Sequence, residues 1–422
     1  LAAQERALSV DDAVRLGLER NALVQAAGAD AAAARAASAQ VRAGRLPALR
    51  AQGTATRLSN NIPPVTFALP GLDSTLTFQA VELRRYDAEV SVEQPIFTGF
   101  RLSNRIRSAD EQARAAAYDA QQTKADVALE IRRAFWTLQR AEAVRASVQA
   151  AVGHVDEYLA DVRKRLAEGS ALRRDLLAAE TRRSEVALER VQAENAVRVG
   201  QLELNRLIGL PLETPVRPTG DVAVETTPAT PEPPAADVLA GRPRLNALAA
   251  QVQALRAEVR AAQGAALPEL SLVGRYSYAR PNPYFFAEQN RFHYSWELGV
   301  SARWNIWEGG RAGAATAEAR ERLSAAEARL ADTREQATVE VARQRLEVDR
   351  AAQAVEAAGQ NVAAAEESFR ITRQQYDEGA ALASDVLDAE EAFRRAEARR
   401  AGALADYAIA RATLLNALGR VW

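Results

Sequence analysis

The sequence predicts an all-α coiled-coil barrel joined to a transmembrane β-barrel, built from two structural repeats per chain with four strands per protomer. Three observations carry that expectation: an internal repeat of constant register, two helical segments of extreme length, and four short stretches of strict period-two alternation.

Repeats decide the architecture. Gln94-Pro95-Ile96-Phe97-Thr98-Gly99-Phe100-Arg101 aligns with Trp304-Asn305-Ile306-Trp307-Glu308-Gly309-Gly310-Arg311 at a shift of 210. The same shift pairs Glu168-Gly169 with Glu378-Gly379, Asp175 with Asp385, and Ile208-Gly209 with Leu418-Gly419. Upstream the shift is about 221, matching Leu46-Pro47 to Leu267-Pro268, so the length difference falls between the two strands of each half, where a loop tolerates it.

The expected elements follow in order. Residues 1–45 hold the pre-strand helix of the first half, at about 11–45, and 46–100 form its β-hairpin. Residues 101–210 carry a long helix and a return helix. Residues 211–236 are an extended linker, with Pro at 211, 215, 218, 228, 231, 233 and 234 precluding a helix. Residues 237–266, 267–310 and 311–422 repeat the helix, hairpin and helix pair.

From Arg101 to Glu168 there is no Pro and one Gly, and small or apolar residues recur in a 4-3 alternation with one slip near 127. Leu323, Leu330, Val341, Val348, Val355, Val362 and Phe369 repeat the seam in the second half. Each long helix would measure roughly 100 Å at 1.5 Å per residue, about the sum of one return helix and one pre-strand helix. Stacking those two alongside the long one brings linker and termini together near its middle.

The strands are read from alternation. Tyr294, Trp296, Leu298, Val300, Ala302 and Trp304 alternate with Ser295, Glu297, Gly299, Ser301, Arg303 and Asn305. Val90 and Val92 alternate with Glu89, Ser91 and Glu93, and Leu270, Leu272 and Tyr276 with Ser271 and Arg275. The strand near Leu49–Leu58 is the weakest, with Arg50, Gln52, Thr54 and Thr56 on one side. One apolar and one polar face suits a barrel with a wet lumen, lined by residues such as Glu297 and Arg303. Trp296, Trp304, Trp307, Tyr284, Phe285 and Phe286 read as interface belt and loop packing. Four strands cannot close around water, and lipid forbids open edges, so several copies must share one barrel.

Composition excludes other classes. Lys and Arg number 54 against 55 Asp and Glu, a net charge of -1 that offers no footprint for nucleic acid. There is no Cys, hence no thiolate metal site, no Cys nucleophile and nothing to carry an acyl group in the sequence as given. The two His, His154 and His293, are too few for triad or zinc chemistry, so no catalytic residue, metal or cofactor is expected. No run of 18 apolar residues exists. The opening at Leu1 reads as a mature form whose export signal has been removed.

With these elements in place, the chain resembles the TolC-like outer-membrane efflux and secretion family. The motifs are Leu46-Pro47-Ala48-Leu49, Leu267-Pro268-Glu269-Leu270, Gln94-Pro95-Ile96-Phe97-Thr98-Gly99, and Tyr376-x-x-Gly379 followed by Asp385-Val386-Leu387-Asp388-Ala389. The resemblance implies a homotrimer with a 12-stranded barrel in the outer membrane of a Gram-negative bacterium and an α-barrel reaching through the periplasm. It implies a passive duct for drugs, metals or secreted proteins in a tripartite pump or type I secretion system, with a periplasmic adaptor and an inner-membrane transporter as partners. An adaptor would dock on the hairpin tips at Glu168, Gly169, Glu378 and Gly379. A gate would be formed by Asp385 and Asp388, with Tyr376 and Asp175 beside them. The bland alternative is that the glycines are helix C-caps and the acids complement helix dipoles. Two rival classes are a periplasmic coiled-coil adaptor, which needs only one hairpin, and a structural coiled-coil protein, which needs no strands.

Overall fold

A computed structural model describes residues 6–61, 65–68, 75–78, 82–220, 241–285 and 290–420. The elements are β1 (Arg6–Leu8), α1 (Val10–Arg20), α2 (Ala22–Ala43), β2 (Ala48–Arg57), β3 (Val65–Ala68), β4 (Thr75–Phe78), β5 (Arg84–Thr98), α3 (Arg101–Ala167), α4 (Arg173–Ile208) and β6 (Val216–Pro218). They continue with α5 (Pro243–Gln263), a 3-10 turn at Gly264–Ala266, β7 (Glu269–Arg280), β8 (His293–Arg303), α6 (Arg311–Asp377) and α7 (Ala383–Ala417). No helix among the described residues is long and apolar enough to cross a membrane. Phe286 and most of the Pro-rich linker lie outside the described residues.

The chain divides into two compact units. One, formed by residues 33–114 and 250–328, contains a four-stranded antiparallel sheet ordered β2-β5-β7-β8. Its pairing separates the two faces. On the polar face the Arg275 guanidinium lies 3.1 Å from Glu89 and 2.7 Å from Glu297, and the Ser277 hydroxyl donates to Asp87 at 2.7 Å. On the apolar face Tyr276 stacks on Tyr294 at 6.2 Å and Tyr278 on Phe292 at 5.0 Å. Charges satisfied on one side and ring pairs on the other are what alternation along each strand dictates. The hairpin β3–β4 lies between β2 and β5 in the chain and adds two strands that the four-strand reading did not contain. In the same unit, Asp110 of α3 accepts hydrogen bonds from Ser38 and Arg42 of α2, which hold its carboxyl below the usual carboxylate range.

The other unit, residues 1–32, 115–249 and 329–422, holds the main core. Ile131, Phe135 and Leu138 of α3 pack with Leu204, Leu207 and Ile208 of α4, Ala13 and Leu16 of α1, and Leu8 and Val216. Phe135 is fully buried, because α3 is covered here on more than one side. Two further points correct the sequence reading. The first helix is not continuous over 11–45. Asn21 adopts extended backbone, accepts from the Leu23 N–H at 2.9 Å and donates to the Leu207 carbonyl at 2.9 Å, which divides it into α1 and α2. The linker also begins with a strand: β6 pairs in parallel with β1, Arg6 opposite Val216 and Leu8 opposite Pro218. Three-residue strands carry no period, so pattern reading misses them.

Helix α6 is covered less than α3. Leu330 and Val341 of its seam are buried, Leu323, Val348, Val355, Val362 and Phe369 only partly so, and Leu346 is 71% exposed.

Candidate gate and docking tips

Two helix hairpins, α3–α4 and α6–α7, end in turns of the same construction. Gly169 and Gly379 sit at φ of +76° and +79°, the left-handed conformation that glycine takes without a Cβ clash. Behind them the Ser170 N–H donates to the Arg165 carbonyl at 2.8 Å, and the Ala380 N–H to the Gln375 carbonyl at 2.7 Å. Glu168 and Glu378 stand exposed beside these glycines.

Each return helix is then capped by an acid. The Asp175 carboxylate accepts from the Leu172 N–H at 3.0 Å, and Asp385 accepts from the Leu382 N–H at 3.0 Å. The two aspartates therefore share one local role, satisfying a backbone donor that a helix start leaves open. Asp388, one turn further on, is exposed, and its first-half counterpart is Ala178. Of the predicted gate pair, Asp385 is engaged in capping and Asp388 is the carboxylate peculiar to the second hairpin.

Tyr376 is drawn to the first hairpin. The Arg165 guanidinium lies over its ring at 4.4 Å and reaches Asp377 at 3.8 Å, while its Nε donates to Asp161 at 2.7 Å. The Tyr158 and Tyr376 rings meet at 5.9 Å. Burial pushes both phenols up, for Tyr376 against the opposing pull of Arg165, so both stay neutral.

Deeper along the same helices is a charged cluster that the sequence did not single out. Arg182 of α4 and Glu390 of α7, both nearly sealed from solvent, stand 3.6 Å apart, and Arg394 of α7 reaches Glu189 of α4 at 3.0 Å. Burial pushes the Glu390 carboxyl up, with Arg182 and Arg394 pulling the other way. Between α3, α6 and α7 lies a cavity of about 260 Å³ bordered by His154, Tyr158, Phe369, Tyr376 and Glu390. Ala389-Glu390 matches Ala179-Glu180 in the repeat, but sequence spacing names no partner 208 residues away. Arg165, Asp377 and the Arg182–Glu390 pair thus tie the second hairpin to the first.

This arrangement of strands and helical hairpins is the fold of solved outer-membrane channels. The chain shares its fold with the outer-membrane channel OprN (TM-score 0.79, 20% identity, 98% of this chain and 90% of that one). It does so equally with the outer membrane protein VceC of Vibrio cholerae (TM-score 0.77, 18% identity, 97% and 96%). It is similar in sequence to the outer membrane efflux protein BepC of Brucella suis biovar 1 (strain 1330), 24% identical over 334 residues that make up 79% of this chain and 72% of BepC. The outer membrane efflux protein family model matches residues 13–210 and 235–420, and the chain belongs to that family.

Proposed function

We propose that this chain is one protomer of a homotrimeric exit duct, a passive conduit for drugs, metals or secreted proteins through the periplasm and outer membrane of a Gram-negative bacterium. The observation that carries this reading is the sheet. It has one apolar and one charged face, and its outer strands β2 and β8 end it with unpaired edges. In lipid such edges must be closed, and three copies give twelve strands around a polar lumen. A coiled-coil adaptor or a structural coiled coil has no use for such a sheet, so neither rival is favoured.

In this reading the Glu168-Gly169 and Glu378-Gly379 turns face a periplasmic adaptor, which couples the duct to an inner-membrane transporter. Asp385 and Asp388, together with Tyr376 and Asp175, narrow the periplasmic mouth, and three copies bring six carboxylates of Asp385 and Asp388 toward one axis. Their repulsion favours opening or a bound cation, and Arg165 with Tyr376 and Asp377 holds the closed state against it. Purification in detergent followed by insertion into planar bilayers tests the duct. The expected outcome is an SDS-resistant trimer with discrete conductance; a monodisperse monomer, soluble without detergent, overturns it.

A further inference from the structure

The two ends of the four-stranded sheet are unlike. At one end the strands adjoin helices: β2 starts at Ala48 after α2 has ended at Ala43, β5 ends at Thr98 before α3 starts at Arg101, and β7 starts at Glu269 after the turn at Gly264–Ala266. At the other end the last pair of β2 and β5 is Arg57↔Arg84, and the seam between β5 and β7 opens with Tyr86↔Arg280. Alternation fixes the face. Tyr86 is on the apolar side with Val90, so Arg84, two residues before it, shares that side, and so do Arg57 and Arg280 through their pairing. The contacts agree: the Arg280 guanidinium lies over the Tyr86 ring at 5.3 Å and the Phe292 ring at 5.6 Å.

On the polar face of the same strands, arginines are neutralised: Arg275 meets Glu89 and Glu297, and Arg50 meets Glu93 at 3.3 Å. The three on the apolar face are not. Among the described residues none of Arg57, Arg84 and Arg280 has a side-chain hydrogen bond or ion pair, and the Arg280 Nε is shielded from water without a partner. Glu82, two residues before Arg84, is engaged in contacts of its own. Arg57 and Arg84 stand exposed and directly opposite one another, an arrangement of like charges that destabilises a strand pair. Arg280 is the diagonal neighbour of Arg84, at about 7–8 Å between Cα atoms. One anion within reach of all three would turn this repulsion into attraction.

Position on the sheet decides which anion. From the arginines toward the helices, the same face carries the exposed rings of Tyr86, Tyr276, Tyr278 and Phe292 and then aliphatic residues such as Val90 and Val300. In a membrane barrel a girdle of rings marks the rim of the band that lipid covers. The three guanidinium groups stand at that rim, level with lipid headgroups, and a guanidinium matches phosphate with two parallel hydrogen bonds. We propose that Arg57, Arg84 and Arg280 together bind the phosphate of a lipid headgroup in the leaflet remote from the helices. The inference rests on the duct reading above, in which that leaflet is the outward-facing one of the outer membrane.

Native mass spectrometry of the detergent-purified protein reads oligomer and bound lipid together. The probe is lipid A bearing its phosphates, with the phosphate-free lipid and inorganic phosphate as separate arms. The unaltered protein should bind the phosphorylated lipid about tenfold more tightly than the phosphate-free form, and Arg57→Gln with Arg84→Gln should weaken that binding about thirtyfold. Arg50→Gln with Arg303→Gln, which removes the same charge from the polar face, should leave the affinity unchanged. Thermal unfolding adds a sign. Without lipid, Arg84→Gln should raise the midpoint by relieving repulsion; with saturating phosphorylated lipid, the unaltered protein should melt above the variant. Equal affinity for the phosphate-free lipid, an equal loss in the polar-face variant, or unchanged affinity in Arg57→Gln with Arg84→Gln overturns the site and leaves the duct standing. Inorganic phosphate bound as tightly as the lipid assigns a free-anion site and overturns the lipid. A monomer soluble without detergent overturns both site and duct.

Discussion

At the scale of single residues, the tips are governed by backbone conformation and by a few charges. Gly379 has no neighbour that a Cβ would strike, so replacing it tests conformation alone. Gly379→Ala should cost about 1 kcal/mol, because an L-residue is disfavoured at a φ of +79°, and it should lower the unfolding midpoint of the purified protein. Asp385 and Asp388 differ in what they do: the first caps α7, the second is exposed with no counterpart in the first hairpin. On the proposed gate, multivalent cations added on the periplasmic side should block conductance, and Asp385→Ala with Asp388→Ala should abolish that block. Undiminished block in the double variant would place the constriction elsewhere. Asp388→Ala alone should remove most of the effect, since Asp385 is already held by the Leu382 N–H.

At the scale of helices, α7 is fastened to α4 by charges withdrawn from water. Side-chain exposure is 9% for Arg182 and 5% for Glu390, so stranding either one is more costly than removing both. Arg182→Leu should cost about 3 kcal/mol, and Arg182→Leu with Glu390→Leu distinctly less, giving a coupling energy from the cycle of unfolding midpoints. Additive costs would show that Arg182 is served mainly by Glu185 and Glu391. The pH dependence has a defined sign. The folded pKa of Glu390 is raised above its ordinary value of 4.5. As pH rises through 4.5 the unfolded chain ionises first, so this group costs nothing below 4.5, its cost accumulates up to the higher folded pKa, and that cost persists above it. Glu390→Gln should flatten the stability profile over that interval.

At the scale of the whole molecule, the chain carries faces that one copy cannot satisfy. The seam of α6 is only partly covered, and β2 and β8 present open edges. Assembly and docking should be separable, because the exposed acids Glu168 and Glu378 lie at the tips and the strand edges belong to the other compact unit. Reversing charge with Glu168→Lys or Glu378→Lys should weaken export in cells while leaving the yield of SDS-resistant trimer unchanged. Unchanged export in both variants would remove the adaptor from these turns.

What the sequence determined by itself was periodicity and its repetition: helices long enough to fix a 4-3 seam, strands with two unlike faces, glycines at positive φ, and a second half in register with the first. These are local consequences of chain geometry, and each recurs at a fixed spacing that a linear reading can measure. Only the tertiary structure decided the break at Asn21, which depends on the Leu207 carbonyl, and the strand pair β1–β6, which joins segments about 210 residues apart and is too short to have a pattern. It alone also decided the candidate site. Asp385 and Tyr376 were legible as motif residues, but Arg165 on the Tyr376 ring and Arg182 beside Glu390 are contacts between helices. Nothing in the spacing of charges along one helix states which charge on another it will meet.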